Sequence, residues 1–360
     1  MSLAQPKRIL IIKLRHHGDV LLSTPVVDAL KTRFPDCEID MLVYAGTGQL
    51  IADNPQIAQI FTIDRNWKKL GVFKHLACEK NLLSKLKARD YDWAFNLSDQ
   101  WRAAIIAKLC AHCSVGLDCI KRDGFWWRFC HDFINHELDT SHHIVENQLN
   151  ILAPLIQPED VADAKVRLWV AQDARESMRQ KLREQGWNGE DYVLLHPGAR
   201  WHFKCWEDGK NAAIVQLLLN SGQNVVLTAS PDSVEQYMLQ EIIGRLNIPE
   251  GRKVYVLSGC LSLRELAAAI EGAKLFVGVD SAPMHIAAAL DKPQIALFGA
   301  SWVDKWRPYS KQAEVIYAGD YAELPHPDSI DTNDPTRLLK AIPLQDVWDR
   351  ISAKLEALEA

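Results

Sequence analysis

Three segments of the chain combine charged or imidazole side chains with glycine or proline, the residue types that bind and activate polar ligands. The first is Arg15-His16-His17-Gly18-Asp19, directly after the first apolar run. Gly18 would allow a tight turn or a close backbone approach, and Asp19 would act as a general base toward a hydroxyl within hydrogen-bond reach. The alternative for Asp19 is a helix cap, because aspartate is a favoured N-cap residue.

The second segment is His196-Pro197-Gly198-Ala199-Arg200, followed by Lys204 and Trp206. Cations and exposed backbone amides in a loop after a strand suit a ligand that carries phosphate. The alternative is a surface loop with unrelated charges, since loops are usually polar.

The third segment is Val279-Asp280-Ser281-Ala282-Pro283-Met284-His285. It predicts a helix with Asp280 or Ser281 as N-cap and proline in its first turn. Free N–H groups and the helix dipole would attract a pyrophosphate there. Asp280 would be repelled by that anion and would accept hydrogen bonds from sugar hydroxyls or backbone amides. His285, one turn into the helix, would face the ligand or pack in the core.

Several patterns that would indicate other chemistry are missing or weak. The dinucleotide G-x-G-x-x-G pattern and the P-loop G-x-x-x-x-G-K are both missing. Asp90-Tyr91-Asp92 has the D-x-D form of a metal site, but it precedes a predicted strand, whereas such sheets bind ligands where strands end. Cys110-Ala111-His112-Cys113 has no second C-x-x-C pair, which favours core thiols over zinc. No metal site is therefore predicted.

One aromatic and basic stretch remains, Lys121-Arg122-Asp123-Gly124-Phe125-Trp126-Trp127-Arg128. Its cations would bind phosphate groups, and its tryptophans would lie at a lipid interface. The alternative is that the tryptophans pack in the core, as aromatic side chains usually do. The segment Arg65-Asn66-Trp67-Lys68-Lys69 has the same character and the same two interpretations.

The elements that must position these segments alternate between strand and helix. Strands are predicted at 8–14, 38–44, 59–63, 92–97 and 113–117, then at 192–196, 224–228, 253–257, 275–279 and 294–298. Helices are predicted at 24–34, 75–89, 101–111 and 141–152, then at 173–184, 210–220, 233–245, 262–270, 282–290 and 344–358. Thr24 is the predicted cap of the first of these helices, with Pro25 at its first position. This alternation predicts an α/β fold of parallel sheets covered by helices.

The prolines at 154 and 158 indicate a linker between two Rossmann-like domains that face a cleft. We expect one domain over 1–160 and a second over 161–342. A C-terminal helix over 343–360 would pack back across the domains.

Composition narrows the function classes. The 360 residues are 48% hydrophobic and carry a net charge of −5, as expected of a globular protein with no basic excess for general nucleic-acid binding. No apolar run approaches the roughly 18 residues that a membrane-spanning helix needs. The eight cysteines are irregularly spaced, which favours reduced thiols and a cytoplasmic location.

Together the three segments resemble the lipopolysaccharide heptosyltransferases, which use ADP-heptose as donor. The resemblance covers about residues 7–355. It is carried by Gly18-Asp19-Val20-Leu21-Leu22 with Thr24-Pro25, by His196-Pro197-Gly198 with Lys204 and Trp206, and by Val277-Gly278-Val279-Asp280-Ser281-Ala282-Pro283-Met284-His285. Arg15-His16-His17-Gly18-Asp19 with Asn96-Leu97-Ser98-Asp99-Gln100-Trp101 is most similar to the heptosyltransferase III branch, which adds a side heptose to the second inner-core heptose.

The resemblance implies a GT-B glycosyltransferase with an inverting mechanism and no required metal or cofactor. It implies that the 1–160 domain is the acceptor-binding domain and that the 161–342 domain is the nucleotide-sugar-binding domain. It implies that Asp19 is the base toward the acceptor hydroxyl and that Lys204 binds the donor phosphates. Donor contacts are then expected from His196, Gly198, Asp280, Ser281, Ala282 and His285, and acceptor contacts from Arg15, His17, Gly18, Arg122, Trp127 and Arg128. Ser281-Ala282-Pro283-Met284 differs from the Thr-Gly-Leu-Ser of some relatives, so the expected contacts there are those of the backbone.

The expected partners are ADP-heptose and an inner-core acceptor at the inner face of the inner membrane, with no nucleic acid. Two alternatives stay open, a nucleotide-sugar epimerase of GT-B fold and a non-catalytic nucleotide-sugar-binding protein. An acceptor requirement separates the epimerase from the transferase. The oligomeric state is also open.

Overall fold

The computed structural model describes residues 5–118, 122, 124–157, 161 and 163–359. The chain divides into two compact units, Met1–Trp169 and Val170–Ala360. Residues 164–169 belong to the first unit, because the backbone N–H of Lys165 donates to the Asp28 carboxylate and Arg167 forms an ion pair with it. Of the predicted linker, residues 158–160 lie outside the described residues.

The first unit alternates strands with helices. Its strands are β1 (Arg8–Lys13), β2 (Glu38–Tyr44), β3 (Gln59–Ile63), β4 (Tyr91–Asn96), β5 (Ala111–Asp118) and β6 (Phe133–His136). Its α-helices are α1 (His17–Leu21), α2 (Thr24–Arg33), α3 (Val72–Lys87), α4 (Trp101–Cys110), α5 (Phe125–Phe129) and α6 (Ile144–Leu149). All neighbouring strands pair in parallel, in the order β3-β2-β1-β4-β5-β6.

The second unit repeats this plan. Its strands are β7 (Tyr192–His196), β8 (Asn224–Ala229), β9 (Val254–Ser258), β10 (Leu275–Val279), β11 (Gln294–Phe298) and β12 (Ala313–Tyr317). Its α-helices are α7 (Gln172–Arg183), α8 (Asp208–Asn220), α9 (Ser233–Ile243), α10 (Leu263–Gly272), α11 (Ala282–Ala289), α12 (Val303–Trp306) and α13 (Leu344–Glu359). The parallel order β12-β11-β10-β7-β8-β9 is that of the first unit read from its other edge.

Each unit therefore has the strand order of the dinucleotide-binding Rossmann folds. The central strands are buried throughout, as the continuous apolar runs predict. Apolar side chains from both faces of the first sheet form cores with the covering helices, and α13 contributes Val347, Ile351 and Leu355 to the core of the second unit. The predicted α/β class with two Rossmann-like units is confirmed.

The differences from prediction lie at two outer strands, at helix starts and at the short helices α1, α5 and α12, which were not predicted. β6 and β12 were not predicted, because each is an outer strand whose side chains are mostly half-exposed and form no apolar run. The cap of α2 is Ser23 and not Thr24, which is the first helical residue. Among the described residues, no helix is both long and apolar enough to span a bilayer.

Candidate active site

In each sheet the strand order reverses between two adjacent central strands, because later strands are added on the other side of the first strand. These two strands are β1 and β4 in the first unit and β7 and β10 in the second. The loops that leave these strands diverge and open a crevice at the carboxyl edge, where ligands of such sheets bind. All three predicted segments begin at these positions. Arg15–Asp19 follows β1, His196–Lys204 lies at the end of β7, and Asp280–His285 follows β10.

The loop after β4 holds the turn after β1 in place. The Leu14 backbone N–H donates to Ser98 Oγ at 2.6 Å, and Gln100 Nε2 donates to the Leu14 carbonyl at 2.8 Å. The Arg15 guanidinium forms an ion pair with the Asp99 carboxylate at 2.8 Å. The segment Asn96–Trp101 therefore positions the residues that precede Asp19.

Asp19 is the third residue of α1, whose N-cap is His16. The capping interpretation is therefore wrong, and the carboxylate lies in the first turn, where the helix dipole favours negative charge. Within the described ranges, no hydrogen bond or ion pair joins this half-buried carboxylate. Gly18 is a buried helical residue and does not adopt the left-handed conformation of a tight turn. An unpaired carboxylate at the carboxyl edge of a sheet is suited to accept a proton from a bound hydroxyl.

Lys13 is a site residue that the sequence analysis missed. It is the last residue of β1, its side chain is buried, and its Nζ donates to the Leu97 carbonyl at 3.2 Å. Burial lowers the pKa of its ammonium, while the nearby carboxylates of Asp19 and Asp99 oppose that shift. The available signal was a lysine at the end of an otherwise apolar strand, because a buried charge requires partners.

His17 lies beside Asp19 in the first turn of α1 and is half-buried. Burial lowers the pKa of its imidazole, and the charges of His16 and Arg65 lower it further. Arg65 comes from the turn after β3, and its guanidinium lies 4.1 Å from the ring centroid of Tyr44. A second strand end thus brings a cation to the first crevice.

The aromatic stretch divides between core and surface. Trp127 is 1% exposed, and its indole N–H donates to the Leu117 carbonyl at 3.1 Å. Trp126 is 69% exposed. The core interpretation therefore holds for Trp127 and the surface interpretation for Trp126, while Lys121 and Asp123 lie outside the described residues.

Two arginines of this stretch lie nearer the crevice. Arg122 Nε donates to the Asp99 carbonyl at 2.7 Å, and its guanidinium lies 5.6 Å from the ring centroid of Trp101. Arg128 contacts the Asp118 carboxylate at 3.2 Å. Trp101 packs edge-on against Trp127, so the buried ring supports an aromatic side chain at the start of α4.

In the second unit the structure brings two of the predicted segments together. Lys204 Nζ forms a 2.5 Å ion pair with Asp280 Oδ2, although the two residues follow different strands. Ser301 Oγ, from the loop after β11, donates to the same carboxylate oxygen at 2.7 Å. Ser301 was not predicted as a site residue, because a single serine in a loop has no distinguishing sequence pattern.

The start of α11 completes this second site. Ser281 is the N-cap, but its hydroxyl donates to the Val279 carbonyl and makes no capping hydrogen bond. Pro283 has no N–H and the Met284 N–H donates to the Ser281 carbonyl, so the Ala282 N–H is the group that this helix start can offer to a ligand. With the Lys204 ammonium on the adjacent Asp280, the arrangement suits an anion. Ala282 is half-buried at the first helical position, whereas His285 is buried, as its core alternative predicts.

His196 and Gly198 pack against α9. His196 is buried, with Nδ1 at 2.9 Å from Thr228 Oγ1 and Nε2 at 3.8 Å from the Glu235 carboxylate. Burial lowers the pKa of the imidazole although Glu235 opposes that shift. A Cβ on Gly198 would lie 2.5 Å from the same carboxylate, so a larger residue there would have to displace the Glu235 side chain. Both residues contact the protein interior and so support the loop. Glu235 is a buried acid that was not predicted as a site residue.

The two patterns set aside as metal sites are occupied by other contacts. Asp92 accepts from the backbone N–H groups of Lys7 and Arg8, and Asp90 pairs with His112. Burial raises the pKa values of Cys110 and Cys113 to about 11, and the Cys110 side chain lies in the apolar core of the first unit. In the part of the chain that the structure describes, no group of three or more His, Cys, Asp or Glu is placed to hold a metal ion.

Comparison with known proteins places these sites in a family. Residues 80–336 match glycosyltransferase family 9 (heptosyltransferase). Lipopolysaccharide heptosyltransferase 3 of Escherichia coli is 37% identical over 335 residues, which cover 93% of this chain and 95% of that protein. Lipopolysaccharide heptosyltransferase 2 of Salmonella typhimurium is 25% identical over 362 residues, covering 93% and 97%.

A solved structure agrees in fold. The family 9 glycosyl transferase of Veillonella parvula superposes with a TM-score of 0.83 at 21% identity and covers 99% of both chains. The expected resemblance is confirmed, and the chain belongs to glycosyltransferase family 9, the heptosyltransferases.

Proposed function

We propose that this protein transfers heptose from ADP-heptose to the lipopolysaccharide inner core, adding a third heptose to the second. The observation that carries the proposal is the second site, where a lysine ammonium meets the uncapped start of a helix at the edge of a Rossmann-like sheet. Support for the acceptor comes from the relative named heptosyltransferase 3, which is more similar to this chain than the relative named heptosyltransferase 2.

The proposed reaction is a single displacement with inversion. The acceptor hydroxyl oxygen attacks the anomeric carbon of the donor heptose, and the bond from that carbon to the β-phosphate oxygen breaks. Asp19 accepts the hydroxyl proton, and ADP departs with the electron pair. Charge that develops on the β-phosphate is stabilised by Lys204 and by the Ala282 N–H at the start of α11.

The ion pair between Lys204 and Asp280 gives donor binding a specific consequence. While the site holds no phosphate, Asp280 balances the lysine charge at 2.5 Å. In the proposal the diphosphate becomes the partner of Lys204, and Asp280 is released to accept hydrogen bonds from sugar hydroxyls. Ser301 keeps the carboxylate oriented during that exchange.

On the acceptor side, we assign contacts to Arg15, His17 and Gly18 in the turn and to Arg122 and Arg128 beside it. Trp101 is the aromatic surface of this side, and buried Trp127 supports it. The acceptor is lipid-linked, which places the protein in the cytoplasm at the inner face of the inner membrane.

The test is a transfer assay with ADP-heptose and core oligosaccharide that lacks the third heptose, read by mass. We expect the product to gain one heptose and the donor to be stable without acceptor. Donor conversion without acceptor would indicate an epimerase, and donor binding without any turnover would indicate a non-catalytic protein. Mass analysis of core oligosaccharide from cells without the protein should show the loss of one heptose.

The proposal includes no metal ion or other cofactor. Excess EDTA should therefore leave transfer nearly unchanged. Loss of transfer with EDTA, and its rescue by Mg²⁺ or Mn²⁺, would contradict this part of the proposal.

A further inference from the structure

An exposed apolar patch lies just after β3, and the proposed reaction does not use it. It consists of Leu70, Val72, Phe73 and Leu76, at the start of α3, and is called the Leu70–Leu76 patch below. Phe73 is 89% exposed and Val72 is 71% exposed. Contiguous apolar surface of this kind marks a contact site, because a soluble surface otherwise scatters such side chains singly.

The charges around the patch indicate the chemistry of its partner. Lys68, Lys69 and Lys74 are exposed and alternate with the apolar side chains. The nearest acid of α3, Glu79, is engaged by Arg102. Lysine is depleted at protein–protein interfaces, whereas segments that bind anionic lipid combine apolar side chains with lysines that reach the headgroups.

A second patch has the same composition and lies at the same edge of the sheet. Phe125, Trp126 and Phe129 of α5 are all exposed, with Arg128 among them. β3 and β5 run parallel to β1 and lie on either side of it, so their carboxyl ends share one edge with the turn that carries Asp19. A flat surface that approaches this edge would contact both patches. The Asp19 turn would lie between them, because β1 lies between β3 and β5.

We propose that the Leu70–Leu76 patch, together with the exposed aromatic side chains of α5, docks the first unit onto an anionic lipid bilayer. The apolar side chains enter the interface and the lysines contact lipid phosphates. The value of this docking for catalysis rests on the proposed function, because it brings the Asp19 turn toward a lipid-linked acceptor.

The test measures sedimentation of the full chain with vesicles of phosphatidylglycerol and phosphatidylethanolamine, compared with vesicles of phosphatidylcholine alone. The wild type should bind the anionic vesicles more tightly, and binding should weaken with salt. F73S/L76S should weaken binding roughly tenfold or more, because two large apolar side chains can then no longer be buried in the interface. The matched control is V234S/Y237S, two exposed apolar residues on α9 of the second unit, which should bind as the wild type does.

Two outcomes would overturn the proposal. One is F73S/L76S binding anionic vesicles as well as the wild type. The other is a change in oligomeric state of that variant without vesicles, which would make the patch an interface between protein chains. Transfer to soluble, lipid-free core oligosaccharide should be unchanged in F73S/L76S. Absence of that transfer in the wild type would contradict the proposed function and would leave the vesicle result as an independent measurement.

Discussion

The two crevices of this protein lie at the same point of the same strand order, yet their carboxylates differ in whether they have bonded partners. In the first unit, the loop after β4 bonds to Leu14 and Arg15, and Asp19 has no bonded partner within the described residues. In the second unit, Asp280 is bonded to both Lys204 and Ser301.

The difference shows how one fold can supply two kinds of electrostatic site. A carboxylate that is not held in an ion pair or hydrogen bond keeps its ability to accept a proton, which a general base requires. A carboxylate paired with lysine holds that cation in place until a stronger anion replaces it. The first arrangement suits proton transfer and the second suits phosphate binding.

The largest expected effect comes from Asp19→Asn. If the unpaired carboxylate is the base, turnover should fall by about 10²–10⁴-fold while ADP-heptose affinity is kept. Transfer assays and donor calorimetry would measure the two quantities. Asp36→Asn, an exposed aspartate at the opposite edge of the same sheet, is the control and should behave as the wild type. Normal turnover in D19N would remove Asp19 from the proposed mechanism.

Breaking the pair in the second unit should have a smaller effect. Lys204→Ala removes a charged partner of the diphosphate, worth about 1.5–3 kcal/mol, so ADP-heptose should bind roughly 10- to 150-fold more weakly. Lys274→Ala removes a half-buried lysine that pairs with Glu359 at the amino-terminal end of β10, where no donor contact is expected, and this variant should bind the donor normally. Equal donor affinity of K204A and wild type would mean that Lys204 keeps Asp280 as its partner.

Ser98→Ala tests whether the loop after β4 holds the turn after β1 in place. This change leaves the buried Leu14 N–H without its acceptor, which costs about 1–3 kcal/mol. The midpoint of thermal unfolding should fall by roughly 2–4 °C per kcal/mol, and turnover should fall while donor affinity is kept. Ser84→Ala on exposed α3 is the control. An unfolding midpoint equal to that of S84A would show that the hydrogen bond from Leu14 to Ser98 does not hold the turn.

The smallest expected effect is on the pH dependence of folding stability, to which one buried histidine in each unit contributes. Burial lowers the pKa values of His131 in the first unit and His196 in the second. Below about pH 6.5 the unfolded chain therefore binds protons that the folded chain excludes, so stability falls as pH falls, by on the order of 1 kcal/mol per pH unit for each histidine. Calorimetry on H131Q and H196Q should show a flatter dependence of the unfolding midpoint on pH. Unchanged slopes in both variants would contradict this origin.

Much of the architecture was predictable because its signals are local. The predicted β2, β7, β10 and β11 match the observed bounds, since a buried parallel strand is a short apolar run in the sequence itself. The outer strand β3 also matches, because it keeps apolar Phe61 and Ile63 on its buried side. β6 and β12 were missed because an outer strand is stabilised by pairing with a neighbour and needs no such run. The stop of an apolar run before a polar turn also located all three predicted segments.

What the sequence determined by itself was thus the order of the elements, the Rossmann-like class and the positions of the polar turns. Tertiary structure decided which of those polar groups are paired. Leu14 meets Ser98 and Lys204 meets Asp280 only because parallel pairing places distant strand ends side by side. No local pattern encodes those partners, so the unpaired state of Asp19, the burial of Lys13 and the exposure of Phe73 became visible only in the folded chain.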